Sequence, residues 1–331
     1  MKKIKQLSAL LVLLVMQVSL MAQDNDKDKK TKYQFVKTKA FNKNYSVSSS
    51  DRLNVKNSFG TLEIKTWNKN EIRIDVAVEV SASTETLAQS IIDGITMSER
   101  QRSGEVDFST SIKGVNNSKG EKSTMEVNCT VYMPATNTLY ATNEFGPTII
   151  PDFKGELNAV SKFGSLTTGD ISNAKNILVE FGKGKFESLT NAYVQVKYSN
   201  AEFGKLNGKA NLKFEFCNAT KVSFDNSMTS LDVVASYSTV NLRPSGDVPA
   251  SYTVSTSFGS FKNTTGVKFD SDEDNDRNSP KFDHRYWGKS GSANIKVTAS
   301  TNFGKIILGE ASAEDMKGKE KNKNKDKNKE I

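Results

Sequence analysis

An aromatic residue followed by a small one recurs through the chain, and that recurrence restricts the fold more than any other feature. Phe-Gly occurs seven times, as Phe59-Gly60, Phe145-Gly146, Phe163-Gly164, Phe181-Gly182, Phe203-Gly204, Phe258-Gly259 and Phe303-Gly304. Tyr198-Ser199, Phe216-Cys217 and Tyr237-Ser238 are degenerate copies. With them, aromatics fall at 145, 163, 181, 198, 216, 237 and 258, in steps of 18, 18, 17, 18, 21 and 21. Eight residues after each of the first five stand Phe153, Ile171, Leu189, Leu206 and Phe224, all apolar. Phe203 lies five residues past Tyr198 as Phe186 lies five past Phe181, so its Phe-Gly is outside the register. A fixed period with two columns marks stacked units, none of which can bury its apolar face alone.

Each copy is led by a short alternating run, such as Leu157-Asn-Ala-Val, Val194-Gln-Val or Leu212-Lys-Phe, and Asn, Gly, Asp and Ser turns separate the runs. These read as strands. Stacked at about 4.8 Å, they would form ladders of side chains with backbone hydrogen bonds between coils. The expected fold is all-β: a β-solenoid, or single-stranded β-helix, of 18–21-residue coils, taken as right-handed although the repeat does not reveal handedness. An antiparallel sandwich with recurring strands is the alternative, but sandwiches rarely keep such a period with two columns in register. At the small position, a larger side chain would collide with its copy in the next coil, and Gly also permits φ > 0.

Outside the repeats, residues 1–22 read as a secretory signal peptide, with Lys2, Lys3 and Lys5 before an apolar core and cleavage after Ala22. Residues 23–44 read as a disordered linker. Residues 45–135 form an N-terminal β unit, with a helix at 84–95 placing Leu87, Ile91 and Ile95 on one face. The repeats run over 136–311, with 267–293 as a projecting insertion, and 312–331 is a disordered basic tail. Cys129 and Cys217 read as small core residues rather than a disulfide.

The formal charge of +8 sits at the ends. The leader carries +3, residues 24–32 +1 and residues 317–331 +4, leaving 32 cations against 32 anions between Tyr33 and Met316. A neutral body lacks the basic footprint of a nucleic-acid binder, and no segment after the leader is apolar enough to span a bilayer. The Lys-rich tail could touch anionic envelope polymers, although a solubilising role is the plainer reading.

The series Leu53-x-Val-x-Asn-x-Phe-Gly-x-Leu-x-Ile-x-x-Trp67, then an alternating strand, a short helix and serial Phe-Gly copies, resembles the secreted bacterial DUF4097/DUF2807 group of "putative adhesins", also known as head domains of auto-transporter adhesins and common in the Bacteroidetes. The resemblance covers residues 45–310. It implies a β-helical fold, a cell-envelope or extracellular address and no catalytic motif. The expected role is a non-enzymatic adhesive, structural or binding module without cofactor, whose partner would be an envelope polysaccharide or another surface protein. The alternative is a polysaccharide-active β-helix enzyme.

Chemistry-bearing residues are few. The sole His is His284, and a Ser/His/Asp or Cys/His triad or a His zinc site would have to use it. Asp272, Asp274, Asp276 and Asp283 fall at positions 1, 3, 5 and 12 of a calcium-loop spacing, but position 6 is Arg277 where a sharp turn needs Gly. Asp152 and Asp170 each lie seven residues after their aromatic. Stacking would bring them about 5 Å apart, a separation glycosidases use. The plainer reading of both is a turn residue before a buried apolar one.

Overall fold

Alternation of apolar and polar residues becomes strand almost throughout. The computed structural model describes residues 33–114, 120–272 and 282–316. Within them the protein is all-β, with 22 strands joined in one open sheet and a single helix. The signal-peptide segment, most of the tail, Asp274 and Asp276 lie outside the described residues.

Two parallel ladders carry the repeat. Strands preceding the aromatics form the first. It runs from β2 (Arg52–Ser58) to β8 (Thr138–Glu144), β10 (Phe153–Lys162) and the C-terminal parts of β11 (Ser165–Glu180), β12 (Lys183–Lys197) and β13 (Asn200–Glu215), then to β15 (Met228–Ser236), β21 (Ile295–Asn302) and β17 (Ala250–Ser257). Strands following the aromatics form the second. It runs from β3 (Leu62–Trp67) to β9 (Pro147–Ile150), the N-terminal parts of β11–β13, then β14 (Thr220–Phe224), β16 (Thr239–Pro244), β22 (Lys305–Leu308) and β18 (Ser260–Asn263).

Side chains alternate across each ladder, so the residue four before the aromatic always points inward: Val55, Ala141, Ala159, Ile177, Val194, Leu212, Val233, Ala299 and Val254 are all buried. On the second ladder Phe153, Ile171, Leu189 and Leu206 pair in register and are buried, as the period predicts. Phe203 pairs with Phe186 inside the core, ring centroids 4.8 Å apart, which confirms that its Phe-Gly lies off the register.

The corner differs from expectation in one respect. Positive φ belongs to the aromatic, not to the glycine: Phe59, Phe145, Phe163, Phe181, Tyr198, Phe216, Tyr237, Phe258 and Phe303 have φ from 48° to 62°. Each N–H donates across to the adjoining coil, for example Phe145 to Lys162 O at 2.9 Å and Phe163 to Glu180 O at 3.0 Å, so the left-handed residue is held by the ladder. The small residue is demanded by space, as expected. A Cβ on Gly146 would lie 2.0 Å from Gly60 O, and one on Gly182 1.8 Å from Gly164 O. Ser199 and Ser238 occupy the same corner in later coils, where their hydroxyls turn back and donate to Lys197 O at 2.6 Å and Ser236 O at 2.7 Å.

Three segments depart from the sequence reading. The coil around Phe303 inserts between those of Tyr237 and Phe258, so the last levels are not stacked in chain order. Of residues 267–293, expected to project, the described parts instead supply β20 (Asp283–Lys289), antiparallel to β17 at the end of the first ladder, and β19 (Phe269–Ser271), antiparallel to β20. The linker expected over 23–44 contains β1 (Phe35–Ser46), antiparallel to β4 (Glu71–Ala82). Its Lys-rich composition disguises an edge strand, where charge deters further pairing. Of the tail, residues 312–316 are held to the stack by Asp315, which bonds Lys262 at 2.6 Å and Lys305 at 3.4 Å. The Lys262 contact, with the Ser312 hydroxyl and backbone N–H, holds the Asp315 carboxyl well below the usual range.

The N-terminal strands build on the first coil. β6 (Glu105–Ile112) and β7 (Ser123–Pro134) run parallel beside β2 and β3, and β4 is antiparallel to β7. The helix α1 (Glu85–Gly94) begins where Thr84 Oγ1 accepts the Leu87 N–H, near its expected limits, and buries Leu87, Ala88, Ile91 and Ile92. Both cysteines are free and buried. Burial, helped by Asp75, pushes the Cys129 thiol up to about 12, and burial raises Cys217 as well. Neither should react with iodoacetamide in the native protein at pH 8, since the thiolate is the nucleophile. The expected mass spectrum shows both labelled only in denaturant; rapid native labelling of either would contradict the burial.

Candidate functional site

No enclosed catalytic constellation exists among the described residues; the chemistry lies in columns that the repeat generates. The aromatics form one outward stripe in the order Phe59, Phe145, Phe163, Phe181, Tyr198, Phe216, Tyr237, Phe303, Phe258, Phe282. Successive centroids are 4.6–5.0 Å apart and ring planes are within 16° of parallel. From Phe145 onward the rings are 44–55% exposed, because stacking covers their faces and leaves their edges in solvent.

Immediately before each aromatic runs a second column. Glu144, Lys162, Glu180, Lys197 and Glu215 alternate in sign over five coils, with ion pairs of 3.5 Å for Lys162–Glu180 and 3.2 Å for Lys197–Glu215. A slip of one coil would place like charges together, so the column favours the register even though each exposed pair is worth less than about 1 kcal/mol.

A third column occupies the outward position five before the aromatic. Asn54, Tyr140, Asn158 and Asn176 lie in register, as do Tyr193, Asn211, Asp232, Thr298, Thr253 and Trp287, and the Ile177–Val194 pair one position on aligns the two runs. Amides that both donate and accept thus share one face with the rings of Tyr140 and Tyr193 over the first six levels, and Asp232, Thr298, Thr253 and Trp287 continue it. Tyr140 and Trp287 are 40% and 42% exposed. Far along the stack, a cleft of about 960 Å³ is lined by Arg243, Asp247, Tyr252, Lys268, Lys289 and Glu310, a mixed set of charges.

The residues singled out from sequence have modest surroundings. Asp152 and Asp170 occupy equivalent positions on neighbouring coils, but Asp152 Oδ1 accepts the Asp170 N–H at 2.9 Å, a turn-capping use. Asp272 Oδ1 accepts the Arg285 N–H at 2.9 Å, and Asp283 opens β20 opposite Ser257. No group of three His, Cys, Asp or Glu residues able to hold a metal occurs among the described residues. His284 stands opposite Thr256 on β20, beside a shallow trough lined by Ser255, Ser257, Ser300 and Asn302. Sequence reading missed the charged and amide columns. Their signal was available at one and five residues before each aromatic once the register was set.

No helix among the described residues is long and apolar enough to cross a membrane. No family model matches the sequence, and no curated protein matches it. Solved structures similar to the chain include a "putative adhesin" of Bacteroides fragilis (10% identity, 82% of this chain and 97% of that one, TM-score 0.37). Others are a "putative cell adhesion protein" of Clostridium sporogenes (14%, 83% and 100%, TM-score 0.24) and a "putative lipid binding protein" of Parabacteroides distasonis (8%, 82% and 97%, TM-score 0.24).

Proposed function

We propose that the chain is an exported, non-catalytic β-solenoid of the DUF4097/DUF2807 type that binds an extended, hydroxyl-rich polymer of the cell envelope along its first ladder. The in-register amide and aromatic column carries this reading. A stack of coils presents polar groups and rings on one face at a constant strand-to-strand spacing, which suits an extended ligand that is itself a repeat. Asn158, Asn176 and Asn211 offer amide N–H groups and carbonyls to sugar hydroxyls, and Tyr140 and Tyr193 supply apolar ring surface with a polar tip. The neutral body keeps such a surface free of long-range preference for anionic polymers. Asp152 Oδ1 accepting the Asp170 N–H supports the turn reading of that pair over the enzyme alternative.

Affinity electrophoresis and calorimetry with soluble neutral glucans and xylans, and with an acidic polyuronate, test the reading. Binding of at least one neutral polymer is expected, weakened roughly tenfold or more in Tyr140→Ala/Tyr193→Ala with unchanged circular dichroism. Binding untouched by that double substitution, or no binding to any of the polymers, would reject the face as a site.

A further inference from the structure

We infer that the aromatic stripe is the contact surface of a homodimer in which two copies pack stripe against stripe, antiparallel. This goes beyond the polymer-binding reading, which uses a different column.

Area is the first argument. With the nine rings from Phe145 to Phe282 about half exposed, the stripe presents roughly 800 Å² of contiguous apolar surface, taking about 200 Å² for each side chain. Monomeric proteins rarely leave more than about 600 Å² in one patch, and a stable dimer buries about 800 Å² on each partner. The stripe is also self-complementary in form, being a row of ring edges at near-constant spacing that a second such row can meet along its whole length.

Charge selects the orientation. In a two-fold arrangement with the axis across the stripe, the column of Glu144, Lys162, Glu180, Lys197 and Glu215 faces its own reversed copy. The midpoint of the ten rings lies between Tyr198 and Phe216. Centring the axis there sets Lys197 of one copy against Glu215 of the other, twice. Displacing the copies by one coil sets Lys197 against Lys197 and Glu180 against Glu215, so repulsion excludes the nearest slipped alternatives. Flanking residues on the other side of the stripe, two positions after their aromatics, are the uncharged Thr61, Pro147, Ser165, Asn200, Asn218, Thr239 and Ser260 with two exceptions, Lys183 and Lys305. With the axis centred between Tyr198 and Phe216, Lys183 of one copy faces Thr239 of the other and Lys305 faces Ser165, so the two cations do not meet.

Sedimentation equilibrium of the purified protein at micromolar concentration is expected to give twice the chain mass. The variant Phe163→Asn/Phe181→Asn/Tyr198→Asn removes three central rings with residues that tolerate positive φ. It is expected to be monomeric with native circular dichroism. Because lost stacking could unfold it, Lys197→Glu gives a second reading that keeps every ring: it should weaken association roughly tenfold, and Lys197→Glu/Glu215→Lys should restore it. A monomeric parent protein overturns the inference, including one that instead floats with phosphatidylcholine vesicles. So does a dimer that persists in the folded triple variant, or one indifferent to Lys197→Glu.

Discussion

Replacing Gly164 by Val should cost about 3 kcal/mol or more, at the upper end of overpacking effects, and should prevent the central coils from pairing. The ideal Cβ position at Gly164 is 2.0 Å from Gly146 O and 2.7 Å from Gly146 C, so the obstacle is backbone of the previous coil and not a side chain able to swing away. Gly164 O in turn accepts the Lys183 N–H of the next level at 3.1 Å, so moving one corner pulls on the next. Gly164→Ser meets the same Cβ obstacle but should cost less than Val, because it adds one γ atom instead of two and that hydroxyl can return to the backbone as in Ser199 and Ser238. Gly114→Val, where nothing lies within 4 Å of the added Cβ, should change stability by no more than about 0.5 kcal/mol. Urea unfolding followed by circular dichroism measures all three. A Gly164→Val protein as stable as Gly114→Val would mean that the corners are looser than the distances require.

Those corners also explain how much of the molecule could be read from its sequence. The period located which residues stack: Phe153 beneath Ile171, Phe186 beneath Phe203 and Leu139 beneath Leu157 follow from counting, because equal coils bring equal positions together. Counting cannot say which corner residue takes the left-handed conformation, since Gly would adopt it at less cost than Phe; the ring takes it because stacking and the N–H bond to the adjoining coil hold it there. Nor can counting rank coils of similar composition. Val254 and Ala299, or Thr256 and Thr301, fill equivalent positions, so either coil could follow Tyr237 by local pattern alone. The choice depends on β20, which pairs antiparallel with β17 and gives that strand its second neighbour. The strand β1 escaped notice because its Lys37 and Lys43 reach Glu85 and Glu99 on other elements, partners that no periodicity within the strand reveals. The candidate polymer face was hidden for a related reason: Asn54, Asn158, Asn176 and Asn211 look like turn formers singly and become a column only when the register aligns them.

Phe203→Ala is expected to destabilise the protein by about 3–5 kcal/mol, the usual cost of truncating a fully buried ring. Phe203 is completely buried, stacked on Phe186 at 4.8 Å and meeting the edge of Phe214 at 6.1 Å, so its removal leaves two aromatic partners facing a void in the middle of the coil stack. The main chain on either side is fixed by ladders to β12 and β14, which limits the collapse that would otherwise fill the space. Phe186→Ala should be similarly severe, and the double variant should lose less than the sum by about 0.5–1.5 kcal/mol, the stacking contribution the two rings share. An outward ring offers the contrast. Phe163→Asn keeps the positive φ, loses stacking on both faces, but returns to water a side chain already 48% exposed, so its cost should be well below that of Phe203→Ala. Because neighbouring coils can unfold separately, hydrogen exchange should accompany the denaturation curves. Loss of protection in Phe203→Ala should centre on β12 and β13 and spread along the stack. If Phe163→Asn proved the more damaging of the two, the outer stripe would be the principal source of cohesion, and the buried ladder secondary to it.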